Sequence, residues 1–371
     1  MVMAQRGRQQ NVTLPPQNMP RAPQITQERV SGTLLRLDFV EVVMQATDRR
    51  VIQMTRPADL KVTRRNEDGH NSAVTEKAFE PGDQVTVEAS REQNRYHADR
   101  LRLDGKGGDD EKKAAGETLD DAFGTGMKTE AAFGMKSGDP VIDAARAATV
   151  QLTRSLPNFM VHQVTTRYVN GAPDLKHKGQ KLDQVDADLV TENGTETFQN
   201  MLVNGKKPKQ APEKTGAWSS GEYSSIVIEV LAPGTHTAFE AKGEETIGGR
   251  QCRNYSFSVD EAHSHWILGA AGQRYLPAYR GMIWFDQETS RVLKVEISSR
   301  EMPRLFPIEK VISSVEYDFI ALGDTKYLLP ARAESINCSP GRTGCARNQI
   351  EFKGYRKFGA DSSISFDRDP R

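Results

Sequence analysis

The chain has 371 residues, room for two or three domains at the usual ~100–200 residues each, and its 50 basic side chains are matched by 50 acidic ones. A formal net charge of +0 removes bulk electrostatics as a reason to expect nucleic acid or an anionic membrane as partner. Hydrophobic residues make up 37% and charged residues 27%, so most of the chain can fold, and no apolar run approaches the ~20 residues of a membrane span.

Residues 1–24 are rich in Gln, Pro and Arg without periodicity and read as a disordered tail. They lack the basic-then-apolar pattern of a signal peptide, and Met1 to Arg8 would fit a chain whose signal was removed or never annotated. Residues 25–104 change to short strands, over 30–37, 39–46, 51–55, 60–63, 84–89 and 96–103, with turns at Asp48-Arg49-Arg50 and Pro81-Gly82-Asp83. That punctuation predicts a small closed barrel. The run from Phe79 to Val87 (Phe-Glu-Pro-Gly-Asp-Gln-Val-Thr-Val) resembles the turn-and-strand of OB-like and SH3-like barrels in bacterial envelope proteins. Such a barrel raises nucleic acid as a partner, with Arg36, Arg49, Arg50, Arg56 and Lys61 on the backbone and Phe39 or Tyr96 against the bases. Interspersed acids and the lack of an aromatic platform argue against it, and a spacer or protein-docking barrel is the other reading. Residues 105–138, made of Gly, Lys, Asp, Glu and Ala, predict a flexible linker. Within it Ala122-Phe123-Gly124 is echoed by Ala132-Phe133-Gly134: a docking segment for a partner, a segment that folds back onto the second domain, or a chance echo.

Residues 139–371 form the larger unit. Asp139-Pro140 opens a helix by an acid cap and a Pro at the first helical position, with Val141, Ala145, Ala148 and Leu152 on one face. Strands follow over 159–169, 181–191 and 195–203, the last two joined by the hairpin signal Glu192-Asn193-Gly194. The capping box Ser219-x-x-Glu222 predicts a second helix carrying Ile226 and Val230, ended by Pro233-Gly234. Strands resume over 237–242, 250–259 and 265–268 and enter a meander from 279 to 321, with further strands over 327–337, 349–358 and 363–366. In the meander Leu293, Val295 and Ile297 alternate with Lys294, Glu296 and Ser298, and Val311, Val315, Tyr317 and Phe319 share a face opposite Lys310, Glu316 and Asp318. Period two with one apolar and one charged face marks an antiparallel sheet covered on one side only.

Something must cover the apolar side. The order helix, strands, helix, meander, together with Tyr279-Arg280-Gly281-Met282-Ile283-Trp284-Phe285-Asp286 and the later Arg291-Val292-Leu293-Lys294-Val295-Glu296, resembles the outer-membrane lipoprotein-sorting superfamily over residues 139–367. That resemblance implies a LolA/LolB-like fold, a curved half-barrel sheet whose concave apolar face is covered by helices. The whole chain is then mainly β (α+β), a small OB-like barrel followed by a half-barrel. By resemblance the two helices are the cover, and the cavity would take acyl chains or a lipidated partner. Its expected lining is Leu293, Val295, Ile297, Val315, Tyr317 and Phe319 from the sheet, with Val141, Ala145, Ala148, Leu152, Ile226 and Val230 from the helices. Small residues at Ala144, Ala145, Ala147 and Ala148, where a filled core would want Leu or Phe, favour an open space.

Three cysteines are too few for a disulfide scaffold, and their spacing is not a zinc pattern. Cys338 and Cys345 flank a turn at a hairpin mouth, where opposed residues lie near the separation a disulfide needs. Paired, they imply an oxidising compartment and hence a periplasmic or secreted protein; unpaired, they are two thiols beside a surface loop. His263 and His265 would share a strand face in metal-compatible geometry, but no third ligand is in view. No phosphate loop, nucleophile elbow, zinc-protease or dinucleotide motif occurs, so neither an enzyme nor a cofactor is expected. Two readings remain: a carrier or sensor binding a lipid or lipidated protein, and an envelope scaffold whose half-barrel is filled by its own side chains. In either, the N-terminal barrel or linker is a candidate docking surface for a protein partner.

Overall fold

The computed structural model describes residues 4–5, 10–11, 26–92, 95–123, 136–192, 195–218, 225–341 and 344–358. The Asn193-Gly194 turn, the Ser219–Glu222 box, the 132–134 echo and the 363–366 strand lie outside them. Within the tail, two short strands are described, β1 (Ala4–Gln5) and β2 (Gln10–Asn11).

The barrel is built from β3 (Thr26–Leu37), β4 (Glu41–Ala46), β5 (Val51–Thr55), β6 (Lys61–Arg65), β7 (Asn71–Ala73), β8 (Gln84–Glu92) and β9 (Arg95–Gly105). Strands β3 to β5 form a meander, β8 lies against β3, and β9 runs antiparallel to β8. Strand β9 then returns parallel to β5, pairing Met54 with Tyr96, which closes a five-stranded barrel of OB-like form. Leu34, Val42, Met44, Ile52, Met54, Val87 and Leu101 fill it. Tyr96 is 2% exposed and belongs to that core, so it presents no stacking face, whereas Phe39 stands 93% exposed on the β3–β4 turn.

The segment whose composition reads as a linker contains helix α1 (Asp109–Phe123). Ala115, Leu119, Ala122 and Phe123 fall at helical spacing and pack on Leu35, Val43 and Val51, on the outside of the barrel. This is why Val42, Val43 and Met44 are all buried in succession: both faces of β4 are covered.

The larger unit consists of α2 (Pro140–Ser155), β10 (Phe159–Gly171), β11 (Gln180–Glu192), β12 (Thr195–Val203) and α3 (Ser225–Leu231). After α3 come β13 (Ala238–Ile247), β14 (Arg250–Val259), β15 (Leu268–Ala270), β16 (Gln273–Tyr275) and β17 (Tyr279–Asp286). The last described strands are β18 (Val292–Ser299), β19 (Lys310–Leu322), β20 (Thr325–Cys338) and β21 (Cys345–Lys357). Eleven strands make one antiparallel sheet in the order β1-β12-β11-β10-β21-β20-β19-β18-β17-β14-β13. The row Tyr255, Ile283, Val295, Val315, Ala333, Ile350, Thr165, Val185 crosses eight of them directly opposite one another, and every member is buried. This is the concave face.

The hairpin β15–β16 leaves the half-barrel and joins the barrel sheet. Gln273 pairs with Ile52 and Arg274 with Val51, so β16 extends β5 and one hydrogen-bonded sheet runs from one unit into the other. Arg50, 2% exposed, ties the seam by donating to Gln273 Oε1 at 2.7 Å and to the Leu305 carbonyl at 3.4 Å. The Arg274 guanidinium lies 3.9 Å from the centre of the Phe123 ring, and burial lowers its pKa to about 10. A strand over 265–268 was expected here. The chain instead makes a 3-10 turn over Glu261–His263 and begins its strand at Leu268, because Asp260 caps the turn by accepting from the His263 backbone N–H at 3.1 Å.

Candidate ligand-binding site

Among the described residues, three elements cover the concave face. Helix α2 starts where Asp139 accepts from the backbone N–H of Val141 at 2.8 Å, and Tyr255 on β14 donates to the other Asp139 oxygen at 3.1 Å. The cap therefore also pins the helix to the sheet. Arg146 Nε donates to the Leu231 carbonyl at 2.8 Å, holding α2 to the end of α3, where carbonyls lack helical partners. Every residue of α3 from Ile226 to Leu231 is buried, Glu229 among them. Glu229 Oε1 accepts from the Tyr279 hydroxyl and the His265 backbone N–H, both at 2.8 Å. Burial, with that carboxylate beside it, pushes the Tyr279 phenol well above its ordinary pKa.

The third cover was not foreseen. Segment 211–218, with a 3-10 turn over Pro212–Lys214, lies on the sheet at a polar stripe. The row next to the apolar one reads Ile297, Ser313, Ser335, Asn348, Arg167, Asp183, again directly opposed strand by strand. Arg167 holds Asp183 with two bonds of 2.7 and 2.6 Å and donates to the Pro212 carbonyl at 2.7 Å and Thr215 Oγ1 at 3.0 Å. Asn348 donates to the Ala217 carbonyl at 3.0 Å, and Trp218 packs edge-on to Phe198. A Cβ at Gly216 would stand 2.8 Å from Arg167 Nη1, so a side chain there would have to displace the guanidinium from its bonds. The segment is a strap fixed by a buried guanidinium.

Between the C-terminal half of α2 and the sheet is a cavity of about 380 Å3. Ala148, Leu152 and Leu156 roof it, Phe159, Val292, Tyr317, Leu328 and Leu329 floor it, and Val227 closes one side. Its polar walls are Thr149, Thr153, Asn158, Thr191, Glu196 and Arg291. The hydroxyls of Thr149 and Thr153 are spent on helix carbonyls at 2.8 and 2.9 Å.

Of the expected lining residues, Ala148, Leu152 and Tyr317 border this cavity. Ala145, Ile226, Val230, Leu293, Val295, Ile297 and Val315 are packed in the core instead, with Val141 partly buried against it. A register shift after Trp284 pairs Phe285 with Val292, and it is Val292 rather than Leu293 that reaches the cavity. Phe319 is only partly buried, at the end of β19 beneath the guanidinium groups of Arg250 and Arg291. Ala144 and Ala147 face solvent, so only half of the alanine run meets the sheet.

Cys338 and Cys345 are joined across the β20–β21 hairpin with their Cα atoms 4.3 Å apart, and Cys252 is free and buried. His263 stacks on His236 at 4.3 Å and bonds Asp260, while His265 sits 3.6 Å from Glu229, so the two do not share a strand face. Among the described residues no group of three His, Cys, Asp or Glu is placed to hold a metal, and no helix is long and apolar enough to cross a membrane.

Solved structures of envelope proteins align with part of the chain. A LolA superfamily protein from Nitrosomonas europaea aligns at 11% identity over 58% of this chain and 94% of that one, with a TM-score of 0.28. A putative outer membrane lipoprotein-sorting protein domain from Vibrio parahaemolyticus aligns at 10% identity over 60% and 94%, TM-score 0.32. The Mycobacterium tuberculosis lipoprotein LppX aligns at 13% identity over 58% and 96%, TM-score 0.25. At these scores the fold rests on the strand order, not on the likeness. No family model and no curated protein matches the chain.

Proposed function

We propose that the half-barrel is a non-enzymatic binding module that takes an acyl chain, from a lipid or a lipidated protein, into the cavity under α2. The observation that carries this is the cavity itself. At about 380 Å3 with a mainly apolar wall, it falls in the ~300–1,000 Å3 range of small-molecule sites. It exists because Ala148 and Val227 are small where α2 and α3 meet the sheet. The Cys338–Cys345 bond supports a working place outside the reducing cytoplasm, in the periplasm or beyond. The OB-like barrel acts as a docking unit for a protein partner; α1 and β16 already cover its β4–β5 side.

Displacement of a fluorescent fatty acid from the full chain tests the reading. Binding at micromolar concentration, lost in Ala148→Trp, is expected. A wild-type protein that binds no acyl probe leaves the second reading, a filled scaffold, which the densely packed rows around Val295 and Val315 favour.

A further inference from the structure

We propose that the chain admitted to this cavity belongs to an anionic amphiphile whose head is held at the mouth by Arg291; the proposal rests on the acyl-binding reading above. Arg291 lines the cavity immediately before β18. Its guanidinium lies 5.8 Å from the centre of the Phe319 ring, while Arg250 lies 4.9 Å from that centre. The two cations differ in what they have left to offer. Arg250 is consumed by Asp286, with bonds of 2.8 and 2.8 Å, and by Glu288 at 2.6 Å. Among the described residues Arg291 makes no side-chain hydrogen bond or ion pair beyond its ring contact.

A second donor points the same way. Thr191 Oγ1, on β11 across the cavity, is buried and has no partner among the described residues. The remaining helix hydroxyls are spent, and Glu196, the carboxylate in the wall, has a partner of its own. Among the described residues, the polar wall groups without a hydrogen-bond partner are thus one cation, Arg291, and one hydroxyl, Thr191 Oγ1, a setting for an acceptor. A planar guanidinium held over a ring suits a carboxylate or a phosphate, which it can meet with two parallel bonds. A neutral head would strip water from Arg291 and return nothing, which costs affinity.

The test uses the full chain and four single-chain ligands of equal length: hexadecanoic acid, hexadecyl phosphate, hexadecanol and hexadecylamine, each displacing a fluorescent acyl probe. The acid and the phosphate are expected to bind roughly tenfold or more tightly than the alcohol, the advantage weakening as salt is raised. Arg291→Gln should erase that advantage by weakening acid and phosphate binding without weakening that of the alcohol, and Arg291→Lys should restore part of it. An alcohol that binds wild type as tightly as the acid, or an acid advantage that survives Arg291→Gln, overturns the anionic head with the acyl reading intact. Tighter binding of the amine also overturns it and assigns the mouth to Glu196. No binding by any of the four removes the acyl reading itself.

Discussion

Replacing Arg167 with Met keeps an apolar stem of similar length and removes the guanidinium that holds the strap. Side-chain exposure at the pair is 1% for Arg167 and 13% for Asp183, so both sit in a poorly solvated place. Met cannot make the two bonds to Asp183, nor those to Pro212 and Thr215, and the Asp183 charge is left without its partner. Removing one member of a buried ion pair typically costs about 3–5 kcal/mol, because the other charge stays behind. Asp183 keeps a little exposure and can recruit water, which puts the expected loss near the lower end, about 3 kcal/mol. Urea unfolding followed by circular dichroism measures it, and hydrogen exchange over residues 212–218 should quicken before the sheet opens. Arg167→Met with Asp183→Leu makes the site apolar and should recover at least half of the loss. A loss below about 1 kcal/mol, or a double variant no better than the single, would refute the assignment of Arg167 as the anchor.

Unfolded under non-reducing conditions, the protein should titrate one thiol, Cys252; its reduction at Cys338 and Cys345 should cost about 2–3 kcal/mol for so short a loop, read from the shift in urea midpoint. Ala148→Trp should leave the fold in place and abolish acyl-probe uptake; a variant that still binds would put the probe elsewhere. Ala122→Asp buries a carboxylate against Val43 and Val51 and should destabilise the barrel by about 2–3 kcal/mol, visible as earlier thermal unfolding; an unchanged midpoint would mean that α1 is not docked. Hydrogen bonds from the His177 side chain, and from the backbone N–H groups of His177 and Lys176, hold the Asp174 carboxyl at about 2. A depressed carboxyl contributes stability above its ordinary pKa that is lost as pH falls through about 2, so Asp174→Asn should flatten the stability profile between pH 5 and pH 2.

The meander was legible because Val295, Ile297 and Val315 alternate with charged residues and serines, and period two admits one fold-level reading. The barrel showed through its turns. Helix α1 was hidden because its stripe, Ala115, Leu119, Ala122 and Phe123, is thin and set among Gly and charged residues whose bulk composition speaks for a linker. The hairpin β15–β16 was hidden for another reason. Its strands have three residues each, too few for periodicity, and its turn uses Ala271 at φ 51° before Gly272 at φ 75°. Arg167 carried a usable signal: it shares parity with Phe159, Val161 and Thr165 on β10, so strand alternation alone puts it on the concave face. The polar stripe could not be read that way, since Ser313, Ser335 and Asn348 lie far apart in the chain and meet only through register. Nor could the cavity wall, because the shift after Trp284 that exchanges Val292 for Leu293 depends on how two strands slide.

The seam between β5 and β16 also bears on biosynthesis. All five strands of the barrel have left the ribosome once Gly105 has, yet the edge at Val51 and Ile52 stays open until Gln273 and Arg274 are made. At ordinary elongation rates that wait is on the order of ten to thirty seconds. During it Arg50 has no Gln273 to receive its guanidinium, and the barrel carries an exposed strand edge of the kind that recruits other chains. Folding of the N-terminal unit is therefore finished by residues from the middle of the C-terminal one, and the period before their arrival is when a chaperone has most to protect.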